Sequence, residues 1–359
     1  MASSRHEQSS PETTTPTVRR ISVIIPMFNE ERNIERVVED IAAQDFEGDL
    51  EVLVADGGST DRSRELLVAA AERTGVQLTL IQNPKRLVAH GLNACVGQAS
   101  GDLIARLDCR SRYPANYLRR LAARAEDTDA WNVAAVLEPI GRTAMERAVA
   151  CAMDSPFGGI AWTRHARGRE PVEVDTVYIG AYRRIAFEKV GLFDASVVDN
   201  HDEDFNLRVR KAGGTIVLDP TLRVRYTPAG SFRGVFARYF AYGFYKPAVM
   251  RKHKQVLSAR SLVPTVFLGT LAVLLGASTL LRGARRVLAA EIGLYTAAAG
   301  VFGAASVLRR RESLRLLPRV VALFPTFHLA YGTGMVAGWL RRGKAADLHA
   351  AAEPDTAPP

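Results

Sequence analysis

The chain has 359 residues, 47 Lys plus Arg against 38 Asp plus Glu for a formal net charge of +9, and a hydrophobic content of 47%. That length and apolar fraction fill one large domain or two modest ones and exclude wholesale disorder. Three cysteines, at positions 95, 109 and 151, are too few and too scattered for a disulfide framework or a four-thiolate zinc site, so a reducing compartment is expected.

The mean hydropathy of −0.02 is an average over two unlike parts. Residues 1–219 hold 27 basic and 33 acidic residues, whereas residues 220–359 hold 20 basic and 5 acidic. The basic surplus lies between long apolar runs, which fits anionic lipid headgroups rather than nucleic acid. Residues 1–18, rich in Ser, Thr, Pro and Glu, read as a disordered tail with no apolar leader segment, and residues 346–359 as a second tail.

From Ile21 short β-branched runs alternate with helical stretches. ISVIIP precedes a helix over 30–44, EVLVA one over 61–74, QLTLIQ one over 87–99, and DLIARLD one over 114–124. Strands alternating with helices of this length build a doubly wound, mostly parallel α/β sheet, whose ligands bind beyond the carboxyl ends of the strands. Farther on, Phe232, Val235, Phe236, Tyr239 and Phe240 recur at helical spacing beside Arg233, Arg238 and Lys246. That pattern fits an interfacial helix with its basic side chains toward phosphate, and it fits a core-facing helix equally well.

Residues 261–281 carry no charge over a length that spans a bilayer, about 20 residues. Residues 287–308 and 316–340 are similar but contain Glu291, Arg319 and His328. Ionisable groups in lipid need partners, and pairing of Glu291 with Arg319 is the simplest account. Arginines bound each run, at 282, 285 and 286, at 309–311 and at 341–342, so their distribution leaves the topology open.

Polar residues collect just after the strands. Ile25-Pro26-Met27-Phe28-Asn29-Glu30 ends the first, Ala55-Asp56-Gly57-Gly58-Ser59-Thr60-Asp61 the second, and Leu107-Asp108-Cys109-Arg110 the fourth. A carboxylate beyond a strand, followed by glycines and a helix start, suits a ribose or base edge, although taken alone it also reads as a turn and a helix cap.

These segments, together with the Asn93 helix before ASGDLIARLD and with GAYRRIAFEKVGLFD and HDEDFNLRVRKAG, resemble family 2 glycosyltransferases of the GT-A fold over about residues 21–254. Within that family the chain is most similar to bacterial succinoglycan-type exopolysaccharide glucosyltransferases. The resemblance implies that Pro26, Asn29, Glu30, Asp56, Asn93, Asp108 and Arg110 line a nucleotide-sugar site. It implies that Asp108, the first carboxylate of the D-x-D motif, meets Mg²⁺ or Mn²⁺, and that Asp202 is the general base, with Tyr178, Gly180, His201, Glu203 and Asp204 on the acceptor side. A small residue such as Gly180 suits close approach of a sugar. Glu203 or Asp204 is the alternative base, Asp202 then capping its helix.

Gly57 and Arg110 depart from the family's usual acidic residues. A cation at position 110 cannot ligate a metal, and its guanidinium either neutralises the donor diphosphate or points to solvent. The Gln/Arg-rich motif of processive relatives is absent around RYFAYGFYK, which favours a single sugar addition.

The expected organisation is a GT-A domain over 19–230, with its nucleotide half at 19–130 and acceptor half at 131–230. A basic aromatic segment over 231–260 and about three membrane helices over 261–345 follow. The expected activity is inverting transfer of a hexose from a nucleotide diphosphate sugar, a UDP-sugar through the resemblance, to a lipid-linked saccharide. The expected place is the cytoplasmic face of the inner membrane, with no nucleic-acid partner. Transfer to polyprenyl phosphate and a catalytically silent scaffold are the rivals.

Overall fold

The computed structural model describes residues 18–158, 168–257 and 259–341. The two tails, apart from Val18, and Arg342 lie outside the described residues.

Among the described residues nine strands form one sheet: β1 (Arg20–Met27), β2 (Asp49–Asp56), β3 (Leu78–Gln82), β4 (Leu103–Arg106), β5 (Ser111–Arg112), β6 (Asn132–Pro139), β7 (Val172–Glu173), β8 (Gly180–Arg183) and β9 (Ile216–Tyr226). Their order is β3-β2-β1-β4-β8-β6-β9-β5, with β7 also paired to β9. The sheet is more mixed than the βα alternation implied. The pairs β1–β2, β1–β4, β2–β3 and β6–β9 are parallel, but β8 runs antiparallel to both β4 and β6, and β5 and β7 run antiparallel to β9. A four-residue strand inserted between two others has no crossover helix to set its direction, so the periodicity of the chain did not reveal it.

The first part of the chain follows the expected alternation, with α1 (Ile34–Ala42), α2 (Ser63–Thr74), α3 (Val88–Gln98) and α4 (Tyr117–Asp127) each following a strand. Successive side chains of a strand face opposite sides, so the near-continuous apolar run of β1 serves two layers. Ile21, Val23 and Ile25 pack with α1, α2 and α4, while Ile24 packs with α3 and with α6 (Arg184–Val190) and α7 (His201–Lys211). On β4, Leu103 and Ala105 face the first layer, whereas Ile104 faces the second, the side covered by α7.

A third core joins the α/β part to the apolar C-terminal helices. It combines Ala148, Val149, Cys151 and Ala152 of α5 (Ala144–Met153) and Val235 of α8 (Phe232–His253) with residues of α10 (Arg282–Arg309) and α11 (Leu317–Leu340). A capping box between Thr143 and Glu146 starts α5. Helix α8 lies along α11 with Tyr239 stacked on Phe327 at 4.1 Å. Glycines let the two backbones approach: a Cβ at Gly243 would strike the Tyr331 carbonyl, one at Gly334 the Phe240 carbonyl, and one at Gly338 the Phe244 carbonyl.

Among the described residues three helical segments are long and apolar enough to cross a membrane: Ala259–Ser278, which contains α9 (Val263–Ser278), Arg282–Arg309, and Leu314–Leu340. None of the α9 residues is buried, and α10 is buried only at Ala299, Gly303, Ser306 and Val307. Arg309 reaches the Asp154 carboxylate at 2.9 Å and Arg310 the Pro139 carbonyl at 2.7 Å, so the α10–α11 junction sits on the α/β part. The opposite end of α10, with Arg282, Arg285 and Arg286, is then about 40 Å away.

Two expectations about polar groups change here. Glu291 pairs with Thr270 of α9 at 2.7 Å rather than with Arg319, which is exposed near the start of α11. His328 lies between the Tyr295 hydroxyl, at 2.8 Å from Nδ1, and the Phe157 carbonyl, at 2.9 Å from Nε2. The basic residues toward the end of α8 meet protein acids: Lys246 pairs with Glu203, and Lys252 with Asp194 and Asp204, each at 2.6 Å. That helix is therefore held by the protein on its basic side, with Phe232 and Phe236 exposed.

Candidate active site

The ends of β1, β2 and β4 meet at one edge of the sheet. Asn29, in the left-handed region with φ 51°, turns the chain after β1. Its Oδ1 accepts from the Thr60 amide at 2.9 Å, and its own amide donates to Ser59 Oγ at 3.0 Å, which fastens the first loop to the second. Asp56 accepts from the Ser59 amide at 3.0 Å and hydroxyl at 2.6 Å, and from Arg64 of α2. Desolvation opposes the charge of Asp56, but these donors outweigh it and hold its pKa below the ordinary carboxylate value.

Glu30 accepts from Asn33 Nδ2 at 2.7 Å and from Arg110 Nε at 2.8 Å. Arg110 is 61% exposed. Pro26, in β1 opposite Ala55, accepts from the Cys109 thiol through its carbonyl at 3.7 Å.

The centre of the site is a residue not singled out from the sequence. Arg106 is only 2% exposed. Its Nε donates to Asp108 Oδ1 at 2.8 Å and its Nη2 to Asp108 Oδ2 at 3.2 Å, while Nη1 lies 3.2 Å from His201 Nε2. The guanidinium also stacks 4.9 Å from the Tyr178 ring centroid. Burial alone would lower its pKa, yet Asp108 and its other neighbours raise it, so the group stays charged. Burial, and then Arg106, push His201 down to about 4, and a neutral imidazole accepts the Arg106 proton through Nε2. Removing Asp108 would leave the buried Arg106 charge without its ion-pair partner, at a cost of about 3–5 kcal/mol. A charged residue inside the apolar strand Leu-Ile-Ala-Arg-Leu was the available signal, because a buried arginine requires partners.

Asp202 follows His201 in the first turn of α7. Burial raises its pKa to about 7, reinforced by Glu203 and Asp199 and opposed by Arg106. One guanidinium thus holds Asp108, reaches His201 and lowers the pKa of Asp202.

Other expected residues lie elsewhere. Glu203 is paired with Lys246. Asp204 is fully buried and accepts from Arg208 at 3.0 Å, Lys252 at 2.6 Å and His253 at 2.8 Å, which ties α7 to α8. Asn93 exchanges two hydrogen bonds with the Phe193 backbone, at 2.7 and 2.9 Å. Gly180 is buried between strands, where a Cβ would strike Asn132 Oδ1, so the close approach it permits is to Asn132 and not to a sugar.

Among the described residues no three His, Cys, Asp or Glu side chains converge as metal ligands. For the expected Mg²⁺ or Mn²⁺, Asp108 offers one carboxylate with both oxygens bonded to Arg106, and position 110 offers a cation. This donor set does not fit a divalent ion held by protein side chains.

The profile described as Glycosyl transferase family 2 matches residues 22–189. The succinoglycan biosynthesis protein ExoA of Rhizobium meliloti (strain 1021) is 28% identical over 318 residues, 87% of this chain and 92% of that protein. A dolichyl N-acetyl-alpha-D-glucosaminyl phosphate 3-beta-D-2,3-diacetamido-2,3-dideoxy-beta-D-glucuronosyltransferase of Methanococcus voltae is 24% identical over 65% of this chain and 74% of its own length. In fold, the chain resembles the mannosyltransferase PcManGT of Pyrobaculum calidifontis, solved with GDP-Man and Mn²⁺. The TM-score is 0.62 at 20% identity, over 94% of this chain and 92% of that one.

Proposed function

We propose that this chain, which matches the Glycosyl transferase family 2 profile over residues 22–189 and resembles a mannosyltransferase in fold, moves a hexose, with inversion, from a nucleotide diphosphate sugar to a lipid-linked saccharide in exopolysaccharide or cell-surface assembly. The relation to ExoA and to the dolichyl-linked transferase supports such an acceptor. The observation that carries the reading is Arg106, which links the Asp108 carboxylate to the first turn of α7, where Asp202 stands with a pKa of about 7.

In this reading Asn29, Glu30 and Asp56 hold the nucleotide, and Arg110 faces the diphosphate from the rim. The acceptor hydroxyl attacks C1 of the sugar as the bond from C1 to the diphosphate oxygen breaks. Asp202 takes the hydroxyl proton, and the nucleoside diphosphate leaves with the electron pair. A base whose pKa lies near the working pH is effective in such a step. The charges of Arg110 and Arg106 oppose the developing negative charge of the leaving group. The membrane helices hold the site beside the headgroups, with the catalytic part on the cytoplasmic side of the inner membrane, where nucleotide sugars are made.

The test is Asp202→Asn, assayed with membranes containing the full chain and a panel of UDP- and GDP-sugars. Loss of a positioned base lowers kcat by roughly 10²–10⁴-fold, with little change in nucleotide binding. Near-full activity of the variant with polyprenyl phosphate, a nucleophile that needs no base, would replace the saccharide acceptor by the lipid phosphate itself. Failure of the wild type to bind any nucleotide sugar favours the silent scaffold.

A further inference from the structure

Asp202 occupies the first turn of α7, and that turn is tied to α8 at residues on both sides of it. Asn200, which caps α7, donates through Nδ2 to the Tyr242 carbonyl at 3.5 Å. Glu203 accepts from Lys246 Nζ, and Asp204 accepts from Lys252 at 2.6 Å and from His253 at 2.8 Å.

Among these ties the Lys246–Glu203 pair stands next to the base and is largely closed to water, its side chains 14% and 16% exposed. Such a pair has to be complete, because removing one partner leaves an uncompensated charge. Burial alone would lower the pKa of Lys246, yet Glu203, Tyr331 and Asp202 raise it, so the ammonium stays charged. Asp202 therefore meets charge from several elements: Arg106 of β4, Asp199 in the loop before α7, Glu203 on its own helix and Lys246 on α8. The Tyr182 hydroxyl of β8 and the neutral His201 are its other titratable neighbours. Glu203 opposes ionisation of Asp202, and Lys246 offsets Glu203.

Lys246 takes its place from the apolar helix α11. Gly243, in the turn before it, lies against the Tyr331 carbonyl, and Pro247, next to it, lies over Gly338. The ammonium is thus carried on the part of α8 that is fixed to α11, while its partner belongs to the turn that carries the base.

We propose that Lys246 is a positioning residue for the transfer: by pairing with Glu203 it fixes the turn of Asp202 and balances the charge beside it, so that the packing of α8 on α11 sets the state of the base. This role rests on Asp202 as the base, and it needs no contact between Lys246 and either substrate.

Profiles of kcat/KM against pH, measured with the full chain in membranes, test it. Lys246→Met leaves the Glu203 charge unbalanced and is expected to move the acid limb up by roughly one pH unit, whereas Glu203→Gln leaves the ammonium unbalanced and moves it down by about as much. Lys246→Arg keeps the charge and restores the limb of the wild type. Glu203→Gln creates no unpaired carboxylate, so its shift is read whether or not Lys246→Met folds, and UDP binding checks the folding of each variant. Shifts of the two variants in the same direction, or no shift in either, overturn the role of Lys246. Asp202→Asn separates the two readings. Near-full activity of that variant overturns the base and this role with it, whereas its loss of activity together with unmoved limbs in the other variants overturns the role of Lys246 alone.

Discussion

Asp202 and Arg106 have to be read together, because each sets what the other can do. Burial raises the Asp202 pKa to about 7 and Arg106 limits the rise. A base must be deprotonated to act, so kcat/KM is expected to climb about tenfold per pH unit below 7 and level off above it. In Arg106→Gln the opposing charge is gone, and the acid limb moves to higher pH. In Arg106→Lys the charge remains and the limb stays near 7, while the lost fork on Asp108 lowers activity. A limb unmoved in both variants would leave Arg106 a purely structural residue.

Arg110 differs from Arg106 in being exposed and, among the described residues, anchored only by Glu30. The donor set around Asp108 leads to UDP binding that is the same in EDTA and in Mn²⁺. Arg110→Asp weakens binding in EDTA by roughly tenfold, the loss of one charge-assisted phosphate contact, and creates a carboxylate pair through which Mn²⁺ restores it. Calorimetry with UDP checks both statements, and a wild type that binds only with Mn²⁺ overturns the first.

Among the elements, the pairing of α8 with α11 rests on absent side chains. Gly338→Leu puts atoms against the Phe244 carbonyl, a backbone group that cannot step aside. It is expected to destabilise the protein by about 1–3 kcal/mol, seen as a lower Tm in detergent. Gly269→Leu on α9, where an added Cβ meets nothing within 4 Å, leaves Tm unchanged. The Gly334-x-x-x-Gly338 spacing was a legible sign of a close helix contact, but its partner was not, since α8 lies some ninety residues earlier. Strands β1 to β4 and helices α1 to α4 were legible for the opposite reason, because each is stabilised by an apolar pattern local to its own segment. The inserted strand β8 and the ties of Asp204 to α8 have no such local mark.

For the molecule as a whole, the charge contrast between residues 1–219 and 220–359 acquires a shape. Of the basic side chains of the second part, Lys246, Lys252 and Arg309 reach acids of the α/β part, while Arg282, Arg285 and Arg286 stand at the far end of α10, about 40 Å away. Composition and periodicity alone determined that an α/β sheet is followed by apolar helices, and strand ends alone marked Asn29, Asp56 and Asp108, because pattern and position along a strand are local properties. Only the tertiary structure decided that Arg106 bridges Asp108 to His201 beside Asp202, that Gly180 makes room for Asn132, and that α5 shares a core with α10 and α11. Each of these depends on side chains that meet across the fold, and burial there sets their charge, which no segment of sequence expresses by itself.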